Sequence, residues 1–422
     1  MTSRPHFFLR PLAAEVALGW RRAVRGPLLT ALGLVLLLLF FCAPTQGETA
    51  AAWTACSLGF AWGILLISGL WSGGLAYAAD RDRHRLALFF TKPASPWLLW
   101  WGRFLGTLAP FSVAIFLLWI LLLFRNLPPG RFCLPPDLPD LELATQQEMN
   151  HLRKTERLPK NVSERRLARA VRTELRNRYT ELRPEEPRTY TFSIPNGRPP
   201  SSLDFRLSGT PFMGAKEALS LDISLFADGK IERFRPDALF DTGFSLPLPK
   251  QIAHPSQPLH LTLTRRDTHD AASILYRERE DLALLLPGYS AILNQTYLCL
   301  LLLATVAMMV ALGAAFGCAL SLPVTLFSGS AILLAFTAAA LAPTTSVADE
   351  QATRWGRFSA PVAYTVAQPF RALVTLNPIQ RVIDGEAILT QEINRFLLFS
   401  MLPWLLCCSL AAPLTATRDE TL

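Results

Sequence analysis

Trp97–Phe124, WLLWWGRFLGTLAPFSVAIFLLWILLLF, decides the architecture. Its only charged residue is Arg103, and the run exceeds the roughly 20 apolar residues that cross the hydrocarbon core of a bilayer. Working outward, five further stretches qualify or nearly qualify: Pro27–Pro44, Ala51–Ala79, Tyr289–Cys318, Leu320–Pro343 and Phe396–Ala416. The fold expected is an α-helical membrane domain of six transmembrane helices. Most charged side chains crowd between Arg125 and Asp281, the composition of a water-facing domain looped out of a membrane domain.

The whole chain of 422 residues is 51% hydrophobic and 18% charged, with a mean hydropathy of +0.28. That is too apolar for an ordinary soluble globule. The formal charge of +8 raises nucleic acid as a partner, but the positions of the basic residues speak for membrane lipid instead. Arg4, Arg10, Arg21, Arg22 and Arg25 precede the first apolar run, and Arg81, Arg83, Arg85 and Lys92 follow the second. Basic residues gather beside spans on the cytoplasmic side, which puts both termini and the loop 80–95 inside and residues 125–288 outside. Phe8, Leu12, Val16 and Trp20 recur four apart, so residues 1–26 read as an amphipathic helix in the membrane interface. Residues 27–124 then carry spans one to three, and 289–422 spans four to six.

The inserted region opens on the proline-rich stretch Leu127–Pro139, a linker signal. Ser163 is positioned to cap a helix with Leu167, Val171, Leu175 and Tyr179 on one face. After Pro184 the period shortens to two. Tyr190–Ile194, Leu203–Leu207, Leu219–Phe226, Lys230–Phe234, Leu259–Thr264 and Ser273–Arg277 favour strands, and Asp228-Gly229 is a hairpin turn signal. An α+β domain follows, a helix and then a β-sandwich. Cys133 is the only cysteine in this polar region, so the domain must rest on its own core. Residues 344–395 are semi-apolar and broken by Pro361, Pro369 and Pro378, as are helices that dip into or lie on the outer leaflet.

No catalytic, cofactor-binding or metal site is expected. The nearest approach to a phosphate loop, Gly209–Lys216, lacks the required Gly-Lys pair. The spans hold no acid or histidine, which weighs against an ion-coupled carrier and an intramembrane protease. Ser328-Gly329-Ser330 reads as close helix packing. The informative segment is the inside loop: Asp82, Arg83 and Arg85 lead into Leu86, Phe89 and Phe90, and then to Lys92-Pro93. A short helix with a charged start, an apolar face and a proline stop suits docking into a groove of another protein. A charged loop with an aromatic belt at Trp97, Trp100 and Trp101 accounts for it equally.

Asp82–Gly106, DRHRLALFFTKPASPWLLWWGRFLG, resembles the coupling region of export-type ABC transporter permeases. Leu376–Asp384 is similar to the element before their last span, and Asn294–Pro323 to their fourth. The Glu-Gly-Thr often found in the coupling helix is absent, and a large outer domain occurs in only a subset of the family. The resemblance implies a non-enzymatic transmembrane subunit driven by a separate cytoplasmic ABC ATPase subunit, as a homodimer or heterodimer with a second permease. Asp82, Arg83, Arg85, Leu86, Phe89, Phe90 and Lys92 would carry the coupling contact. The alternative is a membrane-anchored envelope sensor or assembly factor whose outer domain binds a ligand or protein.

Overall fold

The computed structural model describes residues 6–24, 33, 48–81, 95–125, 127–134, 136–137, 141–154, 167–168, 170–175, 181–182, 186–194, 202–205, 218–227, 230–235, 237–239, 244–247, 258–265, 274–275, 282–341 and 376–418, and every structural statement here concerns these. In chain order, α1 (His6–Val24), α2 (Glu48–Arg81) and α3 (Pro96–Leu123) come first. Strand β1 (Arg131–Leu134), helix α4 (Leu141–Lys154) and strands β2 (Glu181–Leu182), β3 (Arg188–Phe192), β4 (Ser202–Phe205) and β5 (Ala218–Ala227) follow. Then come β6 (Lys230–Phe234), β7 (Asp237–Leu239), β8 (Phe244–Pro247), β9 (Leu259–Arg265), β10 (Ile274–Leu275) and β11 (Leu282–Pro287). The chain returns to helix in α5 (Ala291–Ala319), α6 (Leu322–Leu341), α7 (Pro378–Ile383), α8 (Thr390–Phe396), a π-helical turn (Leu397–Met401) and α9 (Leu402–Arg418). It divides into two compact units, a helical one of residues 1–130 and 289–422 and a smaller, sheet-bearing one of residues 131–288.

Four helical segments are long and apolar enough to cross a membrane: Ala52–Ala78, Trp97–Leu123, Ala291–Ala319 and Thr390–Ala411, with mean hydropathies of 1.5, 2.3, 2.5 and 1.5. They coincide with the second, third, fourth and sixth stretches expected from the sequence. Four such segments in one chain are consistent with a multi-pass membrane protein. The first stretch, Pro27–Pro44, lies outside the described residues apart from Gly33, and the fifth carries α6, where Leu322–Ile332 is a shorter apolar helix. Of the broken region 344–395, residues 344–375 lie outside the described set.

Local chemistry sets the helix boundaries. Ser95 caps α3, its hydroxyl accepting from the Leu98 N–H at 3.2 Å, with Pro96 in the first turn. Ser290 caps α5 in the same way through the Leu293 N–H at 3.3 Å. The α5 helix stops where Leu320 turns extended, and α6 restarts two residues later. The π-helical turn ends two residues before Pro403, which has no N–H to donate; the Leu402 N–H reaches back five residues to the Leu397 carbonyl.

In the helical unit α5 is central: the window counted as its span is 89% buried, against 33–39% for the other three. At one end, its Asn294 is fully buried. The Asn294 amide donates to the Glu386 carbonyl at 2.9 Å and accepts from the Ile388 N–H at 3.0 Å. Arg381 of α7 holds the same turn from the other side, pairing with Glu392 at 2.9 Å and Glu386 at 3.2 Å and donating to the Ala387 carbonyl. Asn377 and Gly385, with φ of 35° and 74°, supply the left-handed backbone that brackets α7.

The sheet-bearing unit has a four-stranded antiparallel sheet in the order β1-β11-β4-β8 and a five-stranded one, β3-β9-β5-β6 with β7 on β5; β2 and β10 form a separate pair. Alternation writes the core. Leu221, Ile223 and Leu225 of β5 are buried, as are Leu259, Leu261 and Leu263 of β9. They join Phe192 of β3 and Leu282, Leu284 and Leu286 of β11 in one apolar cluster. Strands β1 and β11 pair from Arg131↔Pro287 to Leu134↔Leu284, so the two ends of the inserted segment lie side by side. Between β1 and β2 in the chain, residues 170–175 are helical with Val171 buried, and Ser163 and Tyr179 lie outside the described residues.

Candidate functional site

All seven residues expected to make the coupling contact, Asp82, Arg83, Arg85, Leu86, Phe89, Phe90 and Lys92, lie outside the described residues. Both ends of their loop are described, Asp80 and Arg81 closing α2 and Ser95 opening α3. Beside this neck, charged side chains of three helices converge.

Arg103, on α3, is buried and forks between two helices. Its Nε donates to Glu15 Oε2 of α1 at 2.7 Å and its Nη1 to Asp80 Oδ2 of α2 at 2.7 Å. Arg22, two turns beyond Glu15 on α1, grips the other side of the same carboxylate: Nη2 donates to Asp80 Oδ1 at 2.7 Å and Nη1 to Oδ2 at 3.1 Å. Both arginines also donate to the Ala76 carbonyl, at 2.9 and 3.0 Å. The Arg103 guanidinium lies 5.1 Å from the centre of the Tyr77 ring, and the Tyr77 hydroxyl donates to the Trp100 carbonyl. Among the described residues of this cluster two arginines face two carboxylates, the condition under which ionised groups survive burial.

Burial by itself would raise the pKa of Asp80. The hydrogen bond from Arg22 and the charges of Arg103 and Arg22 outweigh it and hold the carboxyl below its ordinary value. A carboxylate kept ionised between two guanidiniums is neither a proton donor nor a nucleophile; the arrangement can orient and hold helices. Among the described residues no group of three or more His, Cys, Asp or Glu side chains is placed to hold a metal ion.

Backbone contact reinforces the neck. A Cβ at Gly106 of α3 would run into the Val16 carbonyl oxygen of α1, and one at Gly19 of α1 would lie 2.7 Å from the Arg103 carbonyl oxygen. Helices α1 and α3 therefore touch main chain to main chain. The face of α1 bearing Glu15, Gly19 and Ala23 is buried, while Ala13, Ala17, Trp20 and Val24 are exposed. On α3, Trp100 stacks on Phe104 at 5.3 Å, and Trp97 Nε1 donates to Ser409 Oγ of α9.

Arg103 stands out in the sequence as the one charge of Trp97–Phe124, but its partners do not. Its signal was present: a lone arginine inside an apolar run needs an acid near its own depth, and Glu15 and Asp80 each stand where a neighbouring helix meets that end. What spacing does not reveal is that one residue of each helix converges on a single guanidinium. Comparison with protein-family models, curated proteins and solved structures finds no match to this chain.

Proposed function

We propose that this chain is the transmembrane subunit of an ABC transporter, an exporter, driven by a separate cytoplasmic ATPase and working as a homodimer or heterodimer with a second permease. The observation that carries the reading is the neck. A loop of the composition expected for a coupling helix leaves α2 after Arg81 and enters α3 at Ser95, and the helices it joins are cross-braced at Asp80 by Arg103 of α3 and Arg22 of α1. A loop that must pass a partner's motion into two helices needs such a rigid base. The chain itself does no covalent chemistry on this reading.

Residues 27–44 and α6 complete six spans in a bacterial plasma membrane, with both termini cytoplasmic and the sheet-bearing unit outside. The two sheets of that unit, sharing one apolar cluster, are read as a β-sandwich. That self-contained core also favours the second reading, an anchored sensor or assembly factor.

Affinity purification in mild detergent separates the two. The expected result is a co-purifying ATP-binding-cassette protein, released by Phe89→Ala with Phe90→Ala while the spans remain inserted. Buried interface aromatics cost about 2 kcal/mol or more on truncation, and rim charges less, so Arg83→Ala weakens the complex only mildly and in a salt-dependent way. A double variant that retains a full complement of ATPase removes the coupling role.

A further inference from the structure

Main-chain contacts and polar side-chain ties are unevenly distributed among the described helices, which also share one apolar cluster. Helices α1 and α3 are sealed backbone to backbone at Gly19 and Gly106. Helices α2 and α5 are sealed in the same manner: a Cβ at Gly73 would strike the Val310 carbonyl oxygen, one at Gly313 the Leu70 carbonyl oxygen, and one at Gly317 would lie 2.6 Å from the Gly74 carbonyl oxygen. Such seams slide or part only by unpacking main chain, which interdigitated helices resist.

Between the two pairs, at the Asp80 end, the polar ties are long side chains, set beside the apolar packing of Tyr77, Trp100 and Phe104. Arg22 of α1 and Arg103 of α3 reach across to Asp80 and the Ala76 carbonyl of α2, and Tyr77 of α2 reaches back to the Trp100 carbonyl. Guanidinium forks can exchange one oxygen acceptor for another, or for water, with little movement of backbone. At the opposite end of the unit, Trp119 Nε1 of α3 donates to Thr296 Oγ1 of α5 at 3.1 Å, joining the same two pairs.

We propose that α1–α3 and α2–α5 are two rigid bodies, that the Arg22–Asp80–Arg103 contacts are the releasable latch between them, and that they pivot about the Trp119–Thr296 end. Glu15 stays with Arg103 when the latch opens, because both belong to one body. The N-terminal helix therefore travels with α3 and not with α2. Opening spreads Asp80 from Arg103, and with them the two ends of the 82–94 loop. This device stands on the helix contacts alone and names no partner, so its failure would leave the transporter reading in place.

The test is pulsed electron–electron resonance on the full chain in lipid nanodiscs. Spin labels are attached by an orthogonal chemistry that spares the native cysteines, at exposed Ala17 of α1, Ile67 of α2 and Leu105 of α3. In Asp80→Asn, the Ala17–Ile67 and Leu105–Ile67 distributions should lose their single maximum and extend to longer distances, while Ala17–Leu105 keeps the wild-type profile. Arg22→Gln, whose partner retains Arg103, should give the same pattern at smaller amplitude and serves if Asp80→Asn does not assemble. Broadening of Ala17–Leu105 in either variant, or no change in any pair, overturns the proposal.

Discussion

The sheet-bearing unit and the helical unit solve the packing problem by different means. In the first, strands such as β5 alternate Leu221, Ile223 and Leu225 inward with Asp222 and Ser224, and burial of aliphatic and aromatic side chains is the cohesive force. In the second, apolar residues lie on buried and exposed faces alike. Phe60, Phe116, Phe327 and Phe399 are exposed while α5 is almost wholly enclosed. Lipid would solvate those faces as well as protein does, so cohesion falls to close helix approach and to polar ties. Hydrophobic pattern should therefore govern stability in one unit, and glycine and buried polar groups in the other.

Truncation in the sheet core is the largest effect expected. Phe192 is fully buried within the shared cluster, and Phe192→Ala should destabilise that unit by about 3–5 kcal/mol. Thermal unfolding of the detergent-solubilised chain, followed by circular dichroism in the β-sheet band, should show the sheet transition lowered. The helical signal should keep its midpoint. A common downward shift of both would mean the units do not unfold separately.

Within the helical unit, two glycines of one helix give the sharper contrast. A Cβ at Gly73 would strike the Val310 carbonyl oxygen, whereas at Gly63 nothing lies within 4 Å. Gly73→Ala should cost about 1–3 kcal/mol through forced separation of α2 from α5. Gly63→Ala should be neutral or stabilising by about 0.5–1 kcal/mol, the ordinary gain of alanine over glycine in a helix. Equal melting temperatures for the two variants would remove main-chain contact as the basis of this seam.

Asn294 tests the polar tie at the end of α5. Asn294→Leu leaves the Ile388 N–H without its acceptor and the Glu386 carbonyl without its donor, at a cost of about 1–3 kcal/mol for each buried group left unpaired. Where the turn can open to water, the cost falls below that of either core substitution. Amide hydrogen exchange is the direct measurement: Ile388 should exchange faster in Asn294→Leu, while Asn294→Asp, which keeps the acceptor, should protect it. Unchanged exchange at Ile388 would count against the tie.

The same contrast explains what could be read beforehand. The apolar runs corresponding to α2, α3, α5 and α9 were legible because length and composition alone suffice for a spanning helix, whereas α8, which begins the last span at Thr390, fell in the region read as broken. Strands β3, β5, β6 and β9 were legible because their alternation is strong. Strand β11 was not: Leu282-Ala283-Leu284-Leu285-Leu286 lacks β-branched residues and leads almost directly into the run beginning at Tyr289. Strand β1 lay inside a proline-rich stretch that reads as linker, and it becomes a strand only because β11 returns beside it. The charge cluster was legible residue by residue but not as a cluster, since Glu15, Asp80 and Arg103 are brought together by helix packing that no local period encodes.

The smallest effect expected is also the most specific to that cluster, and it concerns pH. Asp80 faces Arg22 from α1 and Arg103 from α3, with Glu15 and Tyr77 also nearby, and its carboxyl is held below the ordinary aspartate value. A group whose folded pKa is depressed adds stability that is full above its unfolded value, near about 3.9 for aspartate, and is lost as pH falls through the folded one. The difference in melting temperature between wild type and Asp80→Asn should thus be constant from neutral pH down to about pH 5 and close progressively as pH falls further, through the unfolded value and then the depressed folded one. Glu15 is present in both proteins, so the difference isolates Asp80 from the general acid response. Arg22 is 29% exposed and partly screened, which keeps the gap modest. A gap that widens on acidification would have the wrong sign for an ionised Asp80 held by two arginines, and a gap that never changes would mean that its charge does not brace the neck.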